Sequence, residues 1–404
     1  MKKTILTLFA ISAAMVASMA ASYLGPVNIT CDGLARKYIY YLPETAQDGE
    51  DLPLVILLHG IGGYNTSFYT SEAKGMANTY HCAVMVPQAL PEQDQTLLAL
   101  LNVANPNFAN ELKKSAWGAN AYIRISDLDA NTQALIQQYA PTYYNAGKIQ
   151  INKNVNDAKF IREAFNNLSY TLKNEKGLNI DNQQVYVTGL SLGGAMSYNY
   201  AFSSYSNVKK LVSLSGFLSK GVSVPKGYNL PTLVFHSKTD DVVTYTGGLI
   251  NRPIEDIVNE IAAANTHSEP EVTTLNQNKV TLTEWKESPT VTFYSISNAS
   301  HVLEGNHGLK IFNIIGDFLF DTDVSTKESV TTSVSIYPNP VADELNIQSD
   351  TEYDSATITN LAGQTMFFTI SNNKIAVGSL AKGLYIIDLV RENGTVEKAK
   401  FIKK

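Results

Sequence analysis

Val185 to Phe202 reads VYVTGLSLGGAMSYNYAF and holds Gly189-Leu190-Ser191-Leu192-Gly193, a G-x-S-x-G pattern. A serine hydroxyl attacks a carbonyl well only when a base takes its proton, a third group orients the base, and N–H donors hold the oxyanion. Here a β-forming run precedes Ser191 and a helix-forming run follows it, the strand-turn-helix frame that presents a nucleophile on a sharp turn. Glycines at 189, 193 and 194 remove side chains where strand and helix come close, and Ser191 is expected in a strained backbone region costing about 1–3 kcal/mol. Ser191 is therefore the expected nucleophile. The N–H of Leu192, at the helix N-terminus, would be one oxyanion donor. The second is expected from the HGIGG loop that ends the apolar run Leu54 to His59, at Ile61 with Gly62 beside it.

In this frame the acid follows the serine and the histidine follows the acid. Asp240 and Asp241, in PTLVFHSKTDDVVTYTGG, end an apolar strand after Ser191; Asp240 is the preferred acid, with Asp241 facing solvent or capping the next turn. Four histidines follow the serine. His236 precedes the acid and His267 lies in the polar NTHSEP, so structural or exposed places suit both. His301, in SISNASHVLEGNHG, comes just after the last apolar strand, where the base belongs, and His307 marks the start of a closing helix. His59, Gly62 and Trp117 are the expected substrate contacts. No His/Cys spacing of the zinc type occurs, so neither a metal nor another cofactor is expected.

The elements that must hold these residues are legible. LPLVILLHG, CAVMVPQ, QQVYVTG, KKLVSLSG, PTLVFHS and TVTFYSI are short apolar runs suited to central strands of a parallel sheet buried on both faces. An opening pair of strands meets at Asp32-Gly33, a dipeptide favoured in tight hairpins. Phe160, Ile161, Ala164, Phe165, Leu168 and Leu172 fall on one face of a helix that Gly177 ends, and LKIFNIIGDFLF is a closing amphipathic helix. Alternating strands and helices predict a doubly wound α/β sheet ending near Phe320. The segment from Gln88 to Asn156, with Trp117, Tyr122, Tyr139, Tyr143 and Tyr144, is expected to form a lid or substrate pocket, or else a surface subdomain whose aromatics pack on themselves. Residues 321–333 read as a polar linker, and residues 334–404 as a small all-β sandwich of short alternating strands.

A net charge of −6, without a sustained basic cluster away from the ends, gives no electrostatic reason to expect nucleic acid. Lys2 and Lys3, an apolar run from Ile5 to Val16 and the small residues ASMAAS have the layout of a signal peptide, with cleavage expected after Ala20. That run is shorter than the ~20 residues a membrane span needs, so no stable span is expected. Cys31 and Cys82 are expected at opposite edges of the sheet, too far apart to form a disulfide.

The stretch from about Arg36 to Phe320 resembles the polyhydroxybutyrate-depolymerase-like esterases, a secreted group that includes feruloyl and acetylxylan esterases of carbohydrate esterase family one. The matching pieces are ARKYIYYLP, LVILLHGIGG, VNDAKFI, IDNQQVYVTGLSLGGAMSY, LVFHSKTDDVVTYTGG and ASHVLEG. The resemblance implies an α/β-hydrolase fold, with the family's aspartate at Asp240 and its histidine at His301. Two departures stand out: SAWGANAY keeps only Trp117 of a Cys-Trp-x-Trp element, and His236-Ser237 replaces His-Gly. SIYPNP, NLAGQ and LAKGLYIIDLV…KAKFIKK resemble the C-terminal sorting domain of type IX secretion cargo, implying passage across both membranes and handling by that machinery. The expectation is thus a secreted or surface serine esterase acting on feruloyl or acetyl esters of a plant polysaccharide such as xylan. The rivals are a polyester depolymerase or general carboxylesterase, a prolyl-type peptidase, and a non-catalytic binding protein.

Overall fold

The computed structural model describes residues 23–265, 269–322, 335–349, 353, 355–360, 365–371, 373–390 and 396–404. The expected signal peptide, most of the expected linker and His267 lie outside the described residues. The chain divides into two compact units, Met1–Thr322 and Asp323–Lys404.

In the first unit the chain runs through β1 (Leu24–Cys31), β2 (Leu34–Tyr41), β3 (Asp51–Leu58), α1 (Thr70–Thr79) and β4 (Ala83–Pro87). The segment after β4 holds α2 (Gln95–Ala104), α3 (Pro106–Lys114), β5 (Tyr122–Arg124), α4 (Ala130–Tyr139), α5 (Pro141–Ala146) and β6 (Lys148–Gln150). Then come α6 (Asp157–Glu175), β7 (Asn179–Leu190), α7 (Leu192–Phe202), β8 (Lys210–Leu214), β9 (Thr232–Ser237), α8 (Ile254–Ala264), β10 (Glu271–Leu275), β11 (Val280–Trp285), β12 (Val291–Ile296) and α9 (Ile311–Phe320).

Ten of these strands form one sheet in the order β1-β2-β4-β3-β7-β8-β9-β12-β11-β10. Its centre, from β4 to β12, is parallel, and antiparallel strands close both edges. Along β3 the side chains alternate between two cores. Leu54, Ile56 and Leu58 face the core that α6, α7 and α8 cover; Val55 and Leu57 face the one covered by α1 and α9. Coverage on both faces explains why the central strands read as unbroken apolar runs. The β1–β2 hairpin turns at Asp32 and Gly33, both with positive φ (51° and 76°), as the Asp-Gly pair predicts. The six apolar residues of α6 singled out by their spacing are all buried, each contributing about 1.5–3 kcal/mol where the side chain is large. Cys31 lies in one core and Cys82 in the other, and both are free thiols.

The second unit pairs a sheet of β13 (Ser335–Tyr337), β14 (Glu344–Gln348) and β17 (Lys374–Ala376) with one of β15 (Ser355–Asn360), β16 (Thr365–Phe368), β18 (Gly383–Val390) and β19 (Val396–Lys403). Leu345, Ile347 and Ile375 of the first meet Ile358, Ile387, Leu389 and Phe401 of the second in one core, as in a small sandwich.

The segment from Gln88 to Asn156 is a subdomain with its own small core of Leu97, Ile125, Ile136, Ala140 and Tyr143. A single guanidinium closes its neck. Arg36, on β2, donates to the carbonyl of Gln88 (3.3 Å) at one end and to Oδ1 of Asp157 (2.5 Å) at the other, with both charged side chains buried. Oδ2 of Asp157 accepts the N–H of Gly118 (2.6 Å), and the Asn152 amide donates to the carbonyls of Leu90 (3.1 Å) and Ala116 (2.5 Å). Removing Arg36 would strand a buried carboxylate, so Arg36→Met is expected to cost about 3–5 kcal/mol in urea denaturation, whereas the double change with Asp157→Leu should recover much of the loss.

Candidate active site

The elbow is built by close backbone approach. Ser191 sits between β7 and α7 at φ 59°, ψ −121°, a conformation that side-chain-bearing residues rarely take. Its N–H donates to the carbonyl of Leu214 at the end of β8 (2.8 Å). A Cβ on Gly193 would lie 2.2 Å from the Leu58 carbonyl oxygen and 2.5 Å from that of His59, and one on Gly189 would lie 2.4 Å from the oxygen of Gly193. Glycine is thus required where α7 starts against β3. Ser191 is buried to 7% exposure, and its Oγ has no hydrogen-bond partner among the described residues. Catalytic hydrogen bonds are often long before substrate arrives.

Asp240 follows β9 and His301 follows β12, both at the same C-terminal edge of the sheet as Ser191. Oδ2 of Asp240 accepts Nδ1–H of His301 at 2.8 Å. Its Oδ1 accepts the N–H groups of Val242 and Val243, each at 2.9 Å. Burial works to raise the Asp240 pKa, but the bond and charge of His301 and the two backbone donors outweigh it, and the carboxyl is held below its usual value. An ionised Asp240 accepts only, so Nδ1 of His301 keeps the proton and Nε2 keeps a lone pair. Asp241 is exposed, and His307 is buried as a loop brace, bonded to Leu303 O and Leu309 N–H.

The loop after β3 lies against the elbow: a Cβ on Gly60 would sit 3.5 Å from the Ser191 Cβ. Among the described residues neither Ile61 nor Leu192 has an acceptor for its backbone N–H. Gly62 is committed elsewhere. Its N–H donates to Ser115 O (2.8 Å), its φ is +71°, and Glu111 fills the space a side chain would need.

Two of the three expected substrate contacts need correction. His59 and Trp117 are both fully buried, so they brace the loop from beneath and offer no surface to a ligand. Trp117 Nε1–H donates to His59 O (2.7 Å), and the rings lie 5.0 Å apart. His59 Nδ1–H donates to Gly60 O (2.7 Å) and Nε2 accepts the N–H of Ala89 (3.1 Å). Gly62, the third expected contact, forms a turn of the same loop and is partly exposed. The Gln88 to Asn156 segment also lines no part of a cavity at the ends of β7 and β8. That cavity, about 660 Å³, is lined instead by the start of α1 (Phe68, Tyr69), the ends of β7 and β8 (Leu190, Leu214) and the loop after His301.

One residue of the site escaped sequence reasoning in its role. His236, fully buried at the end of β9, directs Nε2–H to Val243 O (2.8 Å) and lies 3.4 Å from Oδ2 of Asp240. It faces the carboxylate opposite His301; the i, i+4 spacing from Asp240 was its only signal. Among the described residues no group of His, Cys, Asp and Glu could hold a metal, and no helix is long and apolar enough to cross a membrane.

Burial depresses His59 from 6.5 to about 4, against the Gly60 bond, and depresses His236 as well. Between those limits the unfolded chain takes up a proton that folded His59 refuses, so its contribution is complete above pH 6.5 and is lost as pH falls toward 4. The loss reaches about 3 kcal/mol. Denaturant midpoints from pH 7.5 to 4 should therefore fall more steeply for the wild type than for His59→Gln; parallel slopes would remove His59 as the cause.

Residues 125–267, which include Ser191 and Asp240, match a family model described as Phospholipase/Carboxylesterase, and residues 335–404 match one described as Secretion system C-terminal sorting domain. Beta-agarase D from Zobellia galactanivorans is 37% identical over 73 residues, 18% of this chain; the chain spans 15% of that relative. Among solved structures the chain is similar to an acetyl xylan esterase from Aspergillus awamori (14% identity, TM-score 0.44, covering 70% of this chain and 94% of that one). It is also similar to an acylaminoacyl peptidase from Pyrococcus horikoshii (12% identity, TM-score 0.43, 74% and 41%). The first unit has the α/β-hydrolase fold, with a mostly parallel central sheet, and the small antiparallel β-rich unit after it matches a secretion sorting domain.

Proposed function

We propose that this protein is an exported serine esterase that hydrolyses ester-linked acyl groups, feruloyl or acetyl, on a plant polysaccharide such as xylan. The Asp240–His301 hydrogen bond, together with a serine held at positive φ at the same edge of the sheet, carries the reading. Nε2 of His301 takes the Ser191 proton as Oγ attacks the ester carbonyl, while Asp240 holds the ring in the tautomer that leaves Nε2 basic. The N–H groups of Ile61 and Leu192 receive the oxyanion, each worth about 3–4 kcal/mol in the transition state. His301 then protonates the departing alcohol, and water, activated by the same ring, hydrolyses the acyl-enzyme. Every step uses side chains and backbone of this unit alone.

The polysaccharide reading rests on the sequence resemblance, and the mostly apolar cavity beside the elbow equally suits a polyester depolymerase or a general carboxylesterase. Release of ferulate and of acetate from arabinoxylan, with poly-3-hydroxybutyrate as a third substrate, separates them. Clearing of the polyester without release of either acid would reject the polysaccharide substrate. Ser191→Ala should abolish hydrolysis of p-nitrophenyl acetate with the fold intact, and Asp240→Asn should lower kcat by about 10³–10⁴. Unchanged activity in Ser191→Ala would leave a binding protein on a hydrolase fold.

The tail supports export through type IX secretion, with the sorting unit removed or used for anchoring at the surface. Mass spectrometry of the secreted protein should find residues 335–404 missing if the unit is cleaved on export.

A further inference from the structure

The acid of the site has a buried neighbour that the proposed mechanism does not use. His236 stands near the end of β9, fully buried, on the core side of Asp240. Its two ring nitrogens differ. Nε2–H donates to the carbonyl of Val243 at 2.8 Å, and the same nitrogen lies 3.4 Å from Oδ2 of Asp240, the oxygen that accepts Nδ1–H of His301. Nδ1 is buried and has no hydrogen-bond partner among the described residues. A proton there would be a buried donor without an acceptor, so the ring is neutral and keeps its one proton on Nε2. The titratable groups that face it are Asp240 in the turn after β9, His301 from the loop after β12, and the Tyr245 ring at 6.1 Å, whose hydroxyl bonds Ser295 of β12 and Glu255 of α8. Burial depresses the pKa of the ring against the Val243 bond and Asp240, and the His301 charge adds to the depression.

Resting on the esterase reading, we propose that His236 is a positioning residue for the Asp240–His301 pair, acting as a neutral N–H donor through Val243. Val243 is bonded from two sides: its carbonyl accepts Nε2–H of His236, and its N–H donates to Oδ1 of Asp240. Strand β9 is paired along both edges, with β8 and with β12, whereas Asp240 and Val243 lie in the turn beyond it. The imidazole carries the rigidity of the strand into that turn. Without it the turn rests on its own hydrogen bonds, and a carboxylate free to swing aims His301 less well at Ser191. The donor must also be neutral. A cation so close to Oδ2 would draw off the charge with which Asp240 stabilises the imidazolium formed when His301 takes the Ser191 proton, and a group with no N–H would leave the Val243 carbonyl unpaired. Because His236 has no exposed surface, it acts on the chemical step and not on the binding of substrate.

The test compares two variants of the full chain: His236→Gln, whose side-chain amide places an N–H near the position of Nε2, and His236→Leu, which fills a similar space and donates nothing. On p-nitrophenyl acetate His236→Leu should lose about tenfold in kcat with KM unchanged, and His236→Gln should return to within about threefold of the wild type. Equal losses in the two variants, or a wild-type kcat in His236→Leu, overturn the proposal, because filling space and not the N–H would then be the role of the ring. A second measurement stands even where His236→Leu fails to fold. Nitrogen NMR of the wild type with isotope-labelled histidine should show His236 neutral and protonated at Nε2 from about pH 8 to about pH 6, the range in which an ordinary histidine gains its charge; an Nδ1–H tautomer or an imidazolium there overturns the proposal. Ser191→Ala on the same ester separates the two readings: activity that persists defeats the esterase assignment and the role of His236 with it, while its loss leaves the two variants and the tautomer to decide.

Discussion

Backbone touching backbone, with no side chain between, is the constraint on which this site depends. The start of α7 approaches the end of β3 until the α-carbon of Gly193 faces the carbonyls of Leu58 and His59, and any side chain there would overlap them. That approach fixes the direction in which α7 leaves the sheet. With β8 accepting the Ser191 N–H, it holds Ser191 at a positive φ that costs about 1–3 kcal/mol and would otherwise relax. The same closeness brings the loop after β3 onto the elbow, so the two N–H groups proposed for the oxyanion belong to segments locked by one contact. Beneath them His59 and Trp117 act as a buried plug, joined by a hydrogen bond and ring contact.

A second centre of order is the Asp240 carboxylate. One oxygen accepts two backbone N–H groups in its own turn, and the other lies between His301 and the buried His236. A carboxylate engaged on both oxygens has little freedom to rotate, so the direction of the His301 ring is set by the turn after β9 more than by contacts of its own. His236 donates to Val243 O, the carbonyl of a residue whose N–H binds Asp240. The turn is therefore tied from inside the core as well as along its own chain.

Much of this arrangement was legible in the sequence because it rests on local rules. Apolar runs bounded by glycine marked the central strands, the Asp-Gly pair marked the first hairpin, and the order of serine, acid and histidine selected residues that the fold carries to one edge of the sheet. Burial was not legible. Trp117 looked like a ligand contact because it lies in the segment expected to form a lid or substrate pocket, and His59 because it opens the HGIGG loop, yet the two are bonded to each other across 58 residues. The cavity was missed for the same reason. It is assembled from the start of α1, the ends of β7 and β8 and the loop after His301, none of which carries a local signature of a pocket. The edge hairpin β10–β11 also went unread, since its exposed Thr- and Glu-rich strands lack the apolar runs that marked the centre.

The neck that Arg36 closes gives the inserted segment an independence that its position in the chain conceals. The two ends of residues 88–156 meet at one buried guanidinium, and the helices between them fill a core of their own. Chain entropy lost in joining those ends is already accounted for by the neck, and it varies only slowly with the length enclosed. The segment is nevertheless tied to the elbow through Ser115 and Trp117, which hold the loop after β3, so only the part that fills its own core, around Leu97, Ile125, Ile136, Ala140 and Tyr143, stands apart from the geometry of the site.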